Sequence, residues 1–193
     1  LVDSEQLQNT TSTYQINNLD RLIEASQFKA ALAESLSLIG QVNQSSHAAL
    51  IGLGKVAELQ PAKLAKIAQT IIQATQKKFK QISVDLTQLP QELHYLFALA
   101  LTQASYGYDE YKSKKNEFVL EQIDLIATHS VLTTEQLQLV QAVQSGQNLA
   151  RDLGNRPGNI CFPEYLADQA IALAAEYPDL LKVTVLDEQQ MAD

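Results

Sequence analysis

PAKLAKIAQTIIQATQKKFKQISVDL, residues 61–86, holds a helix and then a strand in one stretch, and its reading decides the fold. Leu64, Ile67, Ala68, Ile71, Ile72 and Thr75 recur at three- and four-residue spacing, so they share one helix face, while Lys63, Lys66, Gln69 and Gln73 take the other. Such a helix buries its apolar face against a sheet. Residues 82–86 alternate as one strand of that sheet.

The same alternation of elements continues outward in both directions. Toward the C-terminus, Pro90 opens a second helix over residues 90–105, and residues 118–127 read as another strand. Toward the N-terminus, apolar runs at 35–39 and 48–53 flank the turn-rich GQVNQSS of residues 40–46 and suggest a strand pair, although residues 31–38 could instead prolong a helix. A short helical pattern covers 19–26. Residues 4–18 are rich in Gln, Asn, Ser and Thr and read as a loop around at most one short strand at 13–16.

Thr133-Thr134-Glu135-Gln136 fits a capping box, in which a threonine hydroxyl accepts a first-turn amide and Gln136 reaches back. The helix it opens runs to about residue 153, and its apolar residues cover more than one face, as expected of a helix packed between two domains. A proline-opened helix over 163–177 and a strand over 181–186 follow. Strands alternating with helices imply an α/β fold with a largely covered sheet.

The composition is that of a folded protein: 46% hydrophobic and 19% charged over 193 residues. A net charge of −8 repels phosphate backbones and anionic lipid, so nucleic acid is not an expected partner. Residues 151–193 carry eight acidic groups against three basic ones, so most of that charge lies in the last fifth. Cys161 is the only cysteine, which excludes an internal disulfide and a four-cysteine zinc site and suits a reducing compartment. No stretch approaches the ~20 apolar residues of a membrane helix, and the start at Leu1 lacks a signal-peptide layout. Both ends read as cut from a longer chain.

Each residue type that could carry chemistry has a plainer reading. His47, His94 and His129 are scattered, with no H-E-x-x-H arrangement. There is no G-x-S-x-G for a serine nucleophile, and Cys161 sits between Ile160 and Phe162, where burial would raise a thiol's pKa. Gly52-Leu53-Gly54-Lys55 invites a phosphate-loop reading but lacks the third glycine and the Walker spacing, so a strand-ending turn is preferred. Lys77, Lys78 and Lys80, and Lys112, Lys114 and Lys115 with Tyr106, Tyr108 and Tyr111 nearby, read as solvated segment ends rather than nucleic-acid contacts. The pairs Asp109/Glu110 and Asp187/Glu188 are sequence neighbours that point different ways, and so make poor shared metal ligands. No residue is assigned a catalytic, cofactor-binding or metal-ligating role.

The run NLARDLGNRPGNIC at 148–161, followed by PEYLA at 163–167, resembles the segment that opens the catalytic domain of leucyl (cytosol) aminopeptidases. ALIGLGK at 49–55, YGYDEYKSKK at 106–115, and VTVLD with QQM at 183–191 fall in the order that family would give. The likeness is clear over residues 48–193 and weak before them. Phe162 departs from the hydroxyl residue usual before this proline, which removes a cap of about 1 kcal/mol, and Gly158 stands where a second proline is common.

The resemblance implies a macro-domain-like, three-layer N-terminal domain with a mixed sheet over residues 1–132 and a long linker helix over 133–153. Residues 154–193 would then be the first helix and strand of the C-terminal peptidase domain. It further implies a cytoplasmic hexamer that removes N-terminal residues from peptides with two divalent metals, zinc, manganese or magnesium. The family's metals are bound by a lysine and several carboxylates, several of them in an Asn-Thr-Asp-Ala-Glu-Gly-Arg run that this chain lacks, so the 193 residues alone are expected to be inactive. The alternative is a non-catalytic binding or regulatory module, including a DNA-contacting one.

Overall fold

The computed structural model describes residues 1–7, 18–42, 45–129 and 131–192, giving the backbone alone for 39–42, 45 and 46. The strand expected at 13–16 lies outside these. The chain divides into two compact units, Leu1–Ser145 and Gly146–Asp193.

The decisive stretch folds as read. Helix α2 (Pro61–Thr75) buries Leu64, Ile67, Ala68, Ile71 and Ile72, and each leucine or isoleucine among them contributes about 1.5–3 kcal/mol on leaving water. Thr75 ends the stripe and turns its hydroxyl back to the Ile71 carbonyl, 2.7 Å away. Strand β4 (Gln81–Asp85) follows and pairs in parallel with β5 (Gln122–Ile126), Val84 opposite Leu125. Between them, a short 3-10 turn (Gln91–Leu93) leads into helix α3 (His94–Ala104), which therefore starts after Pro90 rather than on it.

The strand pair read on either side of residues 40–46 is present. Strand β2 (Ser35–Val42) runs antiparallel to β3 (Ser45–Gly54), and the short β1 (Val2–Asp3) lies parallel to β3 on its other side. A bond from the Leu1 nitrogen to the Asp85 carbonyl, 3.0 Å long, ties this first segment to β4.

Alternation along β3 separates two cores. Ile51 and Leu53 face α2 and α3, where Phe97, Leu101, Val84 and Leu86 complete the larger core. Leu50 faces the other way and packs with Val2, Leu38, Phe28 and Leu19, the last from helix α1 (Leu19–Ser26). The expectation of a largely covered sheet fails at β4 and β5. Ile82, Val84, Ile123 and Leu125 pack inward, but Gln81, Ser83 and Gln122 are exposed on the opposite face.

Helix α4 (Thr134–Asn155) begins with the expected capping box. The Thr133 amide donates to Gln136 Oε1 (3.0 Å), and the Gln136 amide donates to Thr133 Oγ1 (3.1 Å). Val140 is its buried residue, while Leu137 and Leu139 are about half exposed. Helix α5 (Pro163–Glu176) starts at Phe162, which makes no side-chain cap.

The strand expected over 181–186 is absent. A strand needs a neighbouring backbone to take its N–H and C=O groups. No described strand pairs with this segment, and Leu181, Val183, Val185 and Leu186 stay exposed.

Candidate functional site

The two buried polar side chains among the described residues, Asp3 and His94, line one cleft of about 400 Å³. It opens where β1, β4 and β5 end, the carboxyl side on which open α/β sheets characteristically bind ligands. Leu86, Leu89, Pro90 and Ala127 supply apolar wall.

Local structure fixes both polar groups. Asp3 ends β1, and its amide donates to Gln88 Oε1 across 2.7 Å. Its Oδ1 accepts the Glu5 amide at 3.1 Å. His94 is the first residue of α3, and its Nε2 lies 2.9 Å from the Leu89 carbonyl. A carbonyl only accepts, so this contact puts a proton on Nε2. Nδ1 is buried without a hydrogen-bond partner. In a neutral ring that nitrogen is an acceptor, and leaving it unmatched costs about 1–3 kcal/mol.

The residues weighed for chemistry are otherwise dispersed. His129 shares the cleft with His94, whereas His47 is exposed on β3 with its ring 5.4 Å from that of Phe79. Cys161 is half-buried, and its amide donates to the Pro157 carbonyl. Lys80 forms an exposed pair with Glu121 at 3.2 Å; Lys77, Lys78, Lys112, Lys114 and Lys115 are exposed. Tyr108 and Tyr111 stack obliquely at 6.2 Å, and Asp109 closes their loop by accepting the Asn116 amide at 2.7 Å. Asp187 makes a reciprocal box with Gln190. Among the described residues, no three His, Cys, Asp or Glu side chains come together as a metal site.

The glycine turn is occupied by the protein itself. The Gly52 amide donates to Glu34 O (2.8 Å), the Gly54 amide to Ala30 O (3.0 Å), and Gly54 ends β3 with φ 68°. Those amides cannot also cradle an anion. The sequence reading missed Asp3, for which a two-residue strand gives no periodic signal.

The family described as "Cytosol aminopeptidase family, N-terminal domain" matches residues 3–115. A "Probable cytosol aminopeptidase" of Acinetobacter baumannii is 69% identical over all 193 residues, and one of Acinetobacter baylyi is 65% identical over the same span. A relative of the same description from Pasteurella multocida is 30% identical over 184 residues, or 91% of this chain and 37% of its own length. The chain spans 40% of the length of the two Acinetobacter relatives.

Among solved structures, a mutant tomato leucine aminopeptidase superposes with a TM-score of 0.80 at 22% identity, covering 98% of this chain and 38% of that one. The bottromycin maturation enzyme BotP, in complex with Mn, gives 0.65 at 21% identity, covering 81% and 33%. These two likenesses concern the fold. No helix is long and apolar enough to cross a membrane among the described residues. The likeness read from residue 48 onward thus extends back to the first residues, and the chain belongs to the cytosol aminopeptidase family, whose N-terminal domain it contains.

Proposed function

We propose that this chain is the N-terminal part of a metal-dependent aminopeptidase that removes N-terminal residues from peptides, and that it serves assembly and positioning rather than hydrolysis. The observation that carries the proposal is the 69% identity across the whole chain to a probable cytosol aminopeptidase of which it makes up 40%. In this reading residues 1–132 form a macro-like domain, 133–153 a linker helix, and 154–193 the opening of the metallopeptidase domain. The full protein is a cytoplasmic hexamer acting on peptides.

Burial supports the division. No residue from 146 to 192 is buried, and Leu180 and Met191 are 81% and 65% exposed. An apolar segment this open fits the start of a core that further chain completes. The divalent metals, manganese or zinc, are assigned to that further chain, because the residues present do not fit them: no three potential ligands converge among those described.

The test compares the full-length protein with the 193-residue chain for Mn²⁺-dependent release of leucine from leucine p-nitroanilide. The full protein is expected to turn over and the chain alone to be silent. Turnover by the chain alone would overturn the proposal.

A further inference from the structure

We propose, on the reading of this chain as the N-terminal part of a longer aminopeptidase, that one apolar arc of α4 is the docking face for the part of the protein that follows residue 193. Gly146 is the point at which the covering segment comes closest to the helix backbone.

Helical spacing defines the arc. At about 100° per residue, Leu139, Ala142, Val143, Gly146, Leu149 and Leu153 fall within about 120° of the helix circumference, and no polar residue between Leu139 and Leu153 shares that sector. A helix in a protein owes most of its stability to burying such a face. Here it is the other side that is covered. Val140, the buried residue of α4, is flanked around the helix by Gln147 and Arg151. Within the arc Leu139 is 51% exposed, Ala142, Gly146 and Ala150 are exposed, and Val143, Leu149 and Leu153 are only half-buried.

Glycine weakens a helix interior, and it is useful where another backbone must approach closely. A Cβ on Gly146 would meet nothing within 4 Å among the described residues, so no contact there requires glycine. A segment laid along the arc would supply the reason. The matched N-terminal domain occupies residues 3–115, and the chain spans 40% of its Acinetobacter baumannii relative, so a longer protein has ample chain to form that cover. A second copy suits the face less well. The 3-4-3-4 spacing from Leu139 to Leu153 makes two heptads, fewer than the three or four of a coiled coil, and Ala142 and Gly146 are too small to serve as knobs.

Hydroxyl-radical footprinting of the 193-residue chain and of the full-length protein reads the arc without any substitution. Oxidation of Leu139 and Leu153 should fall about fivefold in the full-length protein as their exposure is lost, and equal oxidation in both lengths would overturn the proposal. The occupant is identified by placing the photocrosslinker p-benzoylphenylalanine at Ala150, on the edge of the arc, in the full-length protein. A product of monomer mass joined to a peptide beyond residue 193 is expected; a product of dimer mass, a link within residues 1–193, or no product would overturn it. Gly146→Ala, which finds open space in the chain alone, should lower the melting temperature of the full-length protein, and an unchanged or raised value would overturn the close approach at Gly146. Leucine release from the same unmodified preparation separates the two claims. An unprotected arc in an active protein sinks the docking face alone, and a protected arc in an inactive one sinks the aminopeptidase reading alone.

Discussion

Replacing Gly52 by alanine probes the turn that a phosphate loop and a strand end would explain differently. A Cβ on Gly52 would sit 2.1 Å from the Ala31 carbonyl oxygen and 2.4 Å from the Ala30 carbonyl carbon. Both are backbone atoms and cannot rotate away. Restoring an ordinary 3.4 Å contact to the oxygen requires the loop over residues 30–34 to retreat by 1.3 Å, the difference between 3.4 and 2.1 Å. That movement strains the bonds of Gly52 N to Glu34 O, Ala33 N to Gly52 O and Gly54 N to Ala30 O, now 2.8, 2.9 and 3.0 Å long.

Each bond is worth about 0.5–1.5 kcal/mol net, so losing all three costs roughly 3 kcal/mol. A chain of this size loses about 2–4 °C of melting temperature per kcal/mol, which gives a fall of roughly 6–12 °C by circular dichroism. Gly146→Ala is the control of opposite sign. Nothing lies within 4 Å of its added Cβ, and alanine in a helix gains about 0.5–1 kcal/mol over glycine. Inorganic phosphate should leave the melting temperature of the unmodified chain unchanged, because the turn's amides are taken. A Gly52→Ala loss below about 0.5 kcal/mol, the range of ordinary surface substitutions, would refute the reasoning.

Three further outcomes are expected. Gln27 ends α1 in the left-handed region (φ 55°), with its amide bonded to Glu24 O and that of Phe28 to Ile23 O. Gln27→Gly should therefore gain about 1 kcal/mol in urea unfolding, and a loss would contradict the assignment of this cap. Phe162→Ser supplies the side-chain acceptor that the start of α5 lacks; it should add about 1 kcal/mol of local protection in hydrogen exchange at the first turn. Asp124 accepts from the Gln122 and Gln81 amides, which hold its carboxyl below the ordinary 3.8. A depressed carboxylate pKa stabilises the fold above the unfolded value, and that contribution is lost as pH falls through the folded one. Gln122→Ala should raise the Asp124 pKa measured by NMR, and an unchanged titration would show that the amides do not hold it.

What the sequence made legible was local. The stripe from Leu64 to Ile72 and the alternation of Ile82, Val84 and Leu86 each record a face turned to one core, and both elements formed where their period placed them. The capping box at Thr133 depends on residues three apart and was equally readable. Residues 181–186 alternate just as clearly, yet alternation records only which side chains could share a face. The ladder must come from another segment, and no described one supplies it.

The cleft was illegible for the same physical reason. Asp3 is held beside Gln88 across 85 residues, and His94 and His129 line one cleft because β4 and β5 run parallel and deliver their following loops to one side. The glycine pair shows the limit most sharply: small residues at a strand end permit close approach by either an anion or another backbone. Which of them approaches is decided by Ala30, Ala31 and Glu34, whose positions no spacing around Gly52 encodes.

The β4–β5 pair departs from the usual pattern of parallel strands. Parallel strands are usually covered on both faces and read as continuous apolar runs. In this pair Gln81 and Ser83 alternate with Ile82 and Val84, and Gln122 and Asp124 with Ile123 and Leu125. That pattern already describes a sheet with one wet face, on which Gln81, Gln122 and Asp124 bond to each other rather than to a covering helix. The expectation of a largely covered sheet followed the order of elements and set aside the residues. Where class-level topology and the polarity of particular side chains disagree, desolvation decides: burying two amides and a carboxylate would cost more than an added helix could return unless each found a new partner.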